Sequence, residues 1–137
     1  MAFSDNAIAH LERKIGGMPA LMLNLAGKAE EEMKMFAPWR DRTSHARGGL
    51  HAGVEAGNGR FVLFLAHSME YGVYLEEGTP PHVIKPKEKK ALHWVGAKHP
   101  VKRVKHPGTK ARPIVRPTAE QYKTKLRDAV LDWWRNP

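Results

Sequence analysis

The dipeptide Asn58-Gly59 constrains the fold of this chain most strongly, because both residues tolerate the positive φ angles of a two-residue hairpin turn. Before it, every second side chain of residues 50–54 is apolar, as in a half-buried strand. After it, residues 61–67 (FVLFLAH) are apolar on both faces, which favours a strand in the centre of a sheet. The sequence therefore predicts an antiparallel hairpin.

Two amphipathic helices are predicted before the hairpin. The first covers residues 4–15, and Gly16–Pro19 interrupts it. The second starts at Pro19, which suits a first helical turn, and stops near Ala37, because Pro38 disfavours helix in the residue before it. Apolar residues recur at helical spacing in both: Ile8, Leu11 and Ile15 in the first, and Met22, Leu25, Ala29, Met33 and Phe36 in the second.

Shorter elements are predicted after the hairpin. Residues 68–78 read as one or two helical turns ended by Gly78. Residues 83–95 read as a strand, a polar turn and another strand, and residues 101–105 as a further short strand or an extended arm. A capping box of Thr118 and Gln121 predicts the start of the last helix. Its apolar face carries Tyr122, Leu126, Ala129, Val130 and Trp133.

These elements predict an α+β fold. It has N-terminal helices, a small, mostly antiparallel sheet of about four strands, a short mid-chain helix and a C-terminal helix. A length of 137 residues is enough for one domain with a modest core, so residues 1–137 are expected to form a single domain. An extended basic arm is expected at about residues 96–117.

The amino-acid composition limits the kinds of chemical site that this chain can contain. Cysteine is absent, which excludes disulfides, a thiol nucleophile and a cysteine-based zinc site. No apolar run reaches the length of a membrane span, and the first residues lack the basic-then-apolar order of a signal peptide. These features predict a soluble protein made in a cytoplasm, with no membrane partner.

The charge is divided unevenly along the chain. Residues 1–84 hold 8 Lys/Arg and 10 Asp/Glu, whereas residues 85–137 hold 15 and 4. The basic half could face nucleic acid or an acidic surface of a neighbouring copy, or it could simply solvate loops. Contacts to a partner or to DNA are predicted for one set of side chains: Lys102, Arg103, Lys105, Lys110, Arg112, Arg116 and, at the margin of the last helix, Trp134.

Neither a metal site nor a catalytic site is predicted. His82, His93, His99 and His106 share one region, but their spacing is wide and the surrounding positive charge opposes a dication. Three carboxylates, Glu70, Glu76 and Glu77, lie near the apolar core without a nucleophile and base beside them. No catalytic residue and no cofactor are therefore expected.

Three segments carry a resemblance to a known family. "APWRDRTSHARGGLHAGV" has a proline-containing helix end, a Thr/Gly turn and a small-Leu strand; "MEYGVYLEEGT" has a Tyr-small-x-Tyr-hydrophobic-Glu-x-Gly-Thr pattern; "HPGTKARPIVRPTAE" leads into the last helix. In this order they resemble a family of tail components of long-tailed, lambdoid-like phages, from Ala37 to the C-terminus. Ser44, Ile114 and Thr118 depart from the residues usual in that family.

The resemblance implies a structural role in the virion. It implies a tail-completion, neck or minor tail protein that forms a six-fold ring between the head connector and the tail tube. The implied partners are further copies, connector or head-closure proteins, the tail terminator, the tail tube and the packaged DNA in the channel; synthesis would occur in the bacterial host cytoplasm. Turn and packing roles are implied for two groups of residues: Tyr71, Tyr74, Leu75, Glu77, Gly78 and Thr79 in the first, and His106, Pro107 and Gly108 in the second. Tyr71, Tyr74 and Leu75 would pack the short helix onto the sheet, and Gly78 and Thr79 would shape the turn after it. The alternative, from the residues alone, is a DNA-binding protein that uses residues 85–116.

Overall fold

The structure, a computed structural model, describes residues 2–137 and confirms the α+β class. A long helix precedes a β-hairpin, a short helix and a second pair of strands follow, and a helix ends the fold. In chain order the elements are α1 (Ala2–Phe36), α2 (His45–Gly48), β1 (Leu50–Gly57), β2 (Arg60–His67), α3 (Gly72–Glu77), β3 (His82–Ile84), β4 (Val104–His106) and α4 (Val115–Arg135).

The four strands form two separate antiparallel pairs. Strands β1 and β2 pair along their whole length, from Leu50 opposite His67 to Gly57 opposite Arg60, with Asn58-Gly59 as the predicted two-residue turn. Strands β3 and β4 pair only with each other. The second strand predicted within residues 83–95 is wrong, because Leu92 makes only an isolated bridge to Val101.

The prediction that residues 61–67 form a central strand is also wrong, because β2 has a neighbour on one side only. Its apolar residues are half-buried without a second lateral strand. Leu65 packs against the core, whereas the Phe64 ring lies over Gly53 and meets the ring of His51 edge to face, with centroids 6.1 Å apart. Cross-strand contacts thus cover the second face of this strand.

The predicted break at Gly16–Pro19 does not occur, because α1 continues from Ala2 to Phe36 with Pro19 inside it. Tertiary contacts surround this point. Met18 and Met22 are buried, and a Cβ on Gly17 would lie 2.4 Å from Trp133 Cζ2. A proline removes one helical hydrogen bond, and packing on both sides of it is able to offset that loss.

The core lies where α1 crosses the first hairpin. Met33 and Leu50 are fully buried, and Ala37, Trp39 and Ile114 complete the cluster. The apolar stripe of α1 extends beyond this core, because Ile8, Leu11 and Ile15 remain about half exposed.

The outer edge of β1 is bonded to α1. The Glu30 carboxylate accepts a hydrogen bond from the backbone N–H of Ala52 at 3.0 Å, and Lys34 donates to the same carboxylate at 2.5 Å. These two bonds, that of Lys34 first, lower the pKa of Glu30.

In residues 2–137, no helix combines the length and the apolar character needed to cross a membrane.

Helix α4 begins earlier than predicted. It starts at Val115, with Ile114 at the cap position, so the capping box of Thr118 and Gln121 is wrong. Thr118 is buried within the first turns instead. The predicted inner face of α4 is confirmed, since Tyr122 is buried and Trp133 is half-buried. Burial, followed by the hydrogen bond and charge of Glu32, raises the pKa of Tyr122 to about 12.

Candidate assembly surface

Two of the segments that carry the family resemblance meet in space. The backbone N–H of Thr79 donates to the carbonyl of Thr109 and the reverse bond also forms, both at 3.0 Å. The two threonine hydroxyls lie 3.0 Å apart. Thirty residues separate these positions, so the contact closes a long loop. We call residues 78–79 and 106–112 the arm base, because the chain between these two segments forms β3, β4 and the loop that connects them.

Two glycines permit this close approach. Gly78 has φ 73° and Gly108 has φ 86°, in the region where side chains are disfavoured. A Cβ on Gly78 would lie 2.5 Å from the carbonyl oxygen of Thr109, and one on Gly108 would lie 2.2 Å from that of Thr79. The glycines therefore satisfy both a backbone angle and a steric limit at the arm base. Gly78 also ends α3, as predicted.

Glu76 joins the short helix to the last one. Its carboxylate accepts hydrogen bonds from the backbone N–H groups of Ile114 at 2.7 Å and Val115 at 2.8 Å, with Arg116 N–H at 3.5 Å. These are the first donors of α4, which lack partners within the helix. One residue earlier, the Leu75 carbonyl accepts from Arg112 N–H at 2.7 Å. Sequence patterns gave no signal for this cap, because its residues lie 38 to 40 positions apart.

Only part of the packing expected of Tyr71, Tyr74 and Leu75 occurs. Leu75 packs against the buried core, and the Tyr71 ring lies edge-on to His67 of β2, with centroids 6.2 Å apart. Tyr74 is 59% exposed, so the prediction that it packs α3 onto the sheet is corrected. A helix of six residues has one inward face, and Leu75 occupies it. Glu77 ends α3 on the exposed side.

Strands β3 and β4 with the loop between them, residues 82–106, form what we call the arm hairpin. Its strands contact no other helix or strand extensively. The rings of His82 and His106 stack across the pair with centroids 4.9 Å apart. His106 Nδ1 accepts a hydrogen bond from Gly108 N–H at 3.0 Å, which fixes its ring against the arm base. Pro107, between His106 and Gly108 in the sequence, is exposed.

The histidines of this region do not converge. His82 and His106 meet, whereas His93 and His99 lie in the exposed loop between β3 and β4. Within residues 2–137, no three His, Asp or Glu side chains are grouped closely enough to hold a metal ion.

The cations of residues 85–116 are all left free. Every one of these 11 Lys and Arg residues is exposed, and none forms an ion pair within the described chain, where ion pairs involve only Lys34, Arg47, Lys125 and Arg127 as cations. The structure places the predicted contact residues in two positions. Lys102, Arg103 and Lys105 lie on the arm hairpin, Lys110 and Arg112 lie in the arm base, and Arg116 lies in the first turn of α4.

The two neighbouring tryptophans of α4 have different surroundings. Trp133 Nε1 donates to the backbone carbonyl of Lys14 at 2.9 Å, and Lys14 Nζ donates to the carbonyls of Trp133 and Asn136. The ammonium also lies 4.6 Å from the Trp133 ring centroid. This reciprocal contact satisfies carbonyls at the end of α4 and had no signal in the sequence. Trp134 remains 40% exposed, at the margin as predicted.

Two buried donors beneath α3 lack a hydrogen-bond acceptor in the described chain. They are Trp39 Nε1 and His67 Nε2, whose ring centroids are 6.2 Å apart. His67 Nδ1 accepts from Met69 N–H at 3.2 Å, which favours the neutral ring with its proton on Nε2. Burial lowers the pKa of His67.

Comparison of the chain with protein-family models, with curated proteins and with solved structures found no match. The likeness to phage tail components therefore depends on the three sequence segments alone.

Proposed function

We propose that this protein is a structural component of a phage head-to-tail junction, a tail-completion or neck protein that assembles as a ring between connector and tail tube. One observation carries the proposal. Eleven exposed cations, none of them in an ion pair within residues 2–137, lie on or beside an arm hairpin whose base is formed by two of the family-like segments.

The arrangement suits an assembly contact. Charges that find no partner within the chain are available to an acidic surface, which would steer encounter and fix register. Paired backbone hydrogen bonds join the two segments of the arm base, and two glycines there lie too close to the opposite segment to carry a side chain. Exposed Trp94 and Val95 at the far end of the arm add apolar area that a protein partner would bury. The contact would join unlike surfaces of successive copies, which is the type of contact that generates rings.

The test combines the purified protein with assembled particles. We expect light scattering after size exclusion, with negative-stain images, to give closed rings of one stoichiometry. Labelling of the chain in particles should place it at the neck. Compact monomers at every concentration, together with no density at the neck, would overturn the proposal.

A DNA-binding role is the second candidate, favoured by the same free cations. For such a role, the logarithm of the binding constant on duplex DNA should fall by about 0.9 per phosphate contact for each tenfold rise in salt. We expect replacement of Lys102, Arg103 and Lys105 by glutamine to reduce that slope by two to three contacts, roughly in proportion to the charges removed. A salt response that is flat in the unaltered protein removes this candidate.

A further inference from the structure

The tip of the arm hairpin presents two apolar side chains to solvent. Leu92 and Val101 exchange backbone hydrogen bonds of 2.7 and 2.9 Å, which close the loop. At its end, Ala97 N–H donates to the Trp94 carbonyl at 3.0 Å, and Gly96 has φ 93°, the geometry of a tight turn. Within this turn Val95 is fully exposed and Trp94 is half exposed.

A groove on the other side of the arm base has the complementary character. It is an open groove of about 880 Å³ between β2, α3 and the start of α4, and its lining is mainly apolar. The apolar residues that border it are Leu65, Ala66, Val73, Ala111, Pro113, Val115 and Pro117. A volume of this size is typical of pockets that accept a drug-sized group. We call it the β2–α3–α4 groove.

The groove has a free carboxylate and the tip is flanked by cations. Glu76, Glu77 and Arg116 border the groove, and the Glu76 carboxylate is already bonded to the first N–H groups of α4. Glu77 forms no ion pair in the described part of the chain. The loop of residues 85–103 holds seven Lys/Arg and one Glu. An apolar tip flanked by cations therefore matches an apolar groove with an acidic border.

The tip does not occupy the groove of its own chain, because Val95 at the tip and Val73 at the groove are both exposed. We propose that the Trp94-Val95 tip of each copy inserts into the β2–α3–α4 groove of an adjacent copy. This inference rests on the proposed ring and identifies its contact. Tip and groove are different surfaces, so the contact is heterologous and is repeated from copy to copy until the ring closes.

Disulfide trapping tests this contact directly, because the natural chain has no cysteine. One variant carries Val95→Cys and a second carries Val73→Cys, both at exposed valines. After mild oxidation with diamide, we expect an intermolecular disulfide in the mixture of the two variants and little in either one alone. A chain with both substitutions should give a ladder of covalent oligomers that ends at the ring number. The matched control replaces the exposed Leu131 of α4 by cysteine and should give no product with Val95→Cys.

Loss of the tip should also weaken assembly. We expect Trp94→Ala with Val95→Asp to raise the dissociation constant of the oligomer by about ten-fold or more, since a tryptophan at the centre of a contact is a common hot spot. The thermal midpoint measured on monomers should change little, because Val95 is fully exposed and Trp94 is half exposed.

Three results would overturn the inference. They are disulfides of Val95→Cys with itself only, a faster-migrating monomer from the doubly substituted chain, and intact rings that yield no tip-to-groove product. The last result leaves the proposed ring in place. Monomers without any trapped product and without density at the phage neck would remove both.

Discussion

Glu76 in α3 accepts a hydrogen bond from the backbone N–H of Val115, 39 residues along the chain, at 2.8 Å. The same oxygen accepts from Ile114 N–H, so one carboxylate satisfies two free donors of α4. The negative charge also lies at the positive end of a 21-residue helix, where it is stabilising. The short helix thereby fixes the direction of the last one and, through the arm base, that of the arm hairpin.

Replacement of Glu76 by glutamine should destabilise the fold. The amide keeps one acceptor oxygen for these donors but loses the charge at the helix N-terminus, so we expect the free energy of unfolding to fall by about 1 kcal/mol. Urea denaturation followed by circular dichroism measures it. Glu77→Gln is the matched control at the next position, where no hydrogen bond or ion pair forms in the described chain. Equal stability of the two variants would contradict the capping role.

Replacement of Gly108 by alanine should be more disruptive than the same change at Gly96. Both residues have positive φ, but a Cβ on Gly108 would lie 2.2 Å from the Thr79 carbonyl oxygen, whereas Gly96 has open space. We expect Gly96→Ala to cost about 1 kcal/mol through the backbone angle alone, and Gly108→Ala at least about 2 kcal/mol more. Chemical denaturation of the two variants compares their free energies of unfolding. Similar costs would show that the arm base tolerates a side chain.

Replacement of Lys14 by methionine should loosen the end of α4. The ammonium donates to two carbonyls of its last turn and lies over the Trp133 ring, and methionine keeps only the packing. We expect a loss of about 1–3 kcal/mol, as when buried acceptors lose their donor. Hydrogen exchange should also be faster in residues 133–136. Arg13→Met, at the exposed neighbouring position, should change neither quantity. Unchanged exchange in the Lys14 variant would refute the contact.

Stability should decrease as the pH falls below about 6.5 because of His67. Burial lowers its pKa in the folded chain below the value of 6.5 that applies when it is exposed, so the unfolded chain binds the proton more readily. The stabilisation is therefore complete above pH 6.5 and is lost as the pH falls through the lower, folded value. Urea denaturation at pH 7.5, 6.5 and 5.5 measures the slope of the free energy of unfolding against pH. His67→Gln should flatten it, and His99→Gln, in the exposed loop, should not.

The first hairpin shows how much local sequence can determine. Asn58-Gly59, between an alternating segment and an apolar one, predicted the turn that the structure contains, with Asn58 at φ 53° and Gly59 at φ 71°. The end of α1 before Pro38 and the end of α3 at Gly78 were predicted for the same reason, since each depends on the backbone angles of neighbouring residues.

Predictions were wrong where residues far apart in the chain compete with local signals. Gly16–Pro19 has the composition of a helix break, yet Met18, Met22 and Trp133 pack around it and α1 continues. Thr118 has the pattern of a cap, yet the helix is capped by Glu76 at Ile114, four residues before Thr118. A window of a few residues contains neither contact.

The sequence by itself determined the hairpin, the approximate positions of α3 and α4, the end of α1 and the concentration of positive charge after residue 84, because each depends on residues that are close together in the chain. It did not predict α2. Only the tertiary structure decided that α1 is continuous, that β2 is an edge strand and that a groove lies between β2, α3 and α4. Those features arise from contacts between residues 22 to 119 positions apart, whose free energy of packing and hydrogen bonding exceeds the local preferences that oppose it.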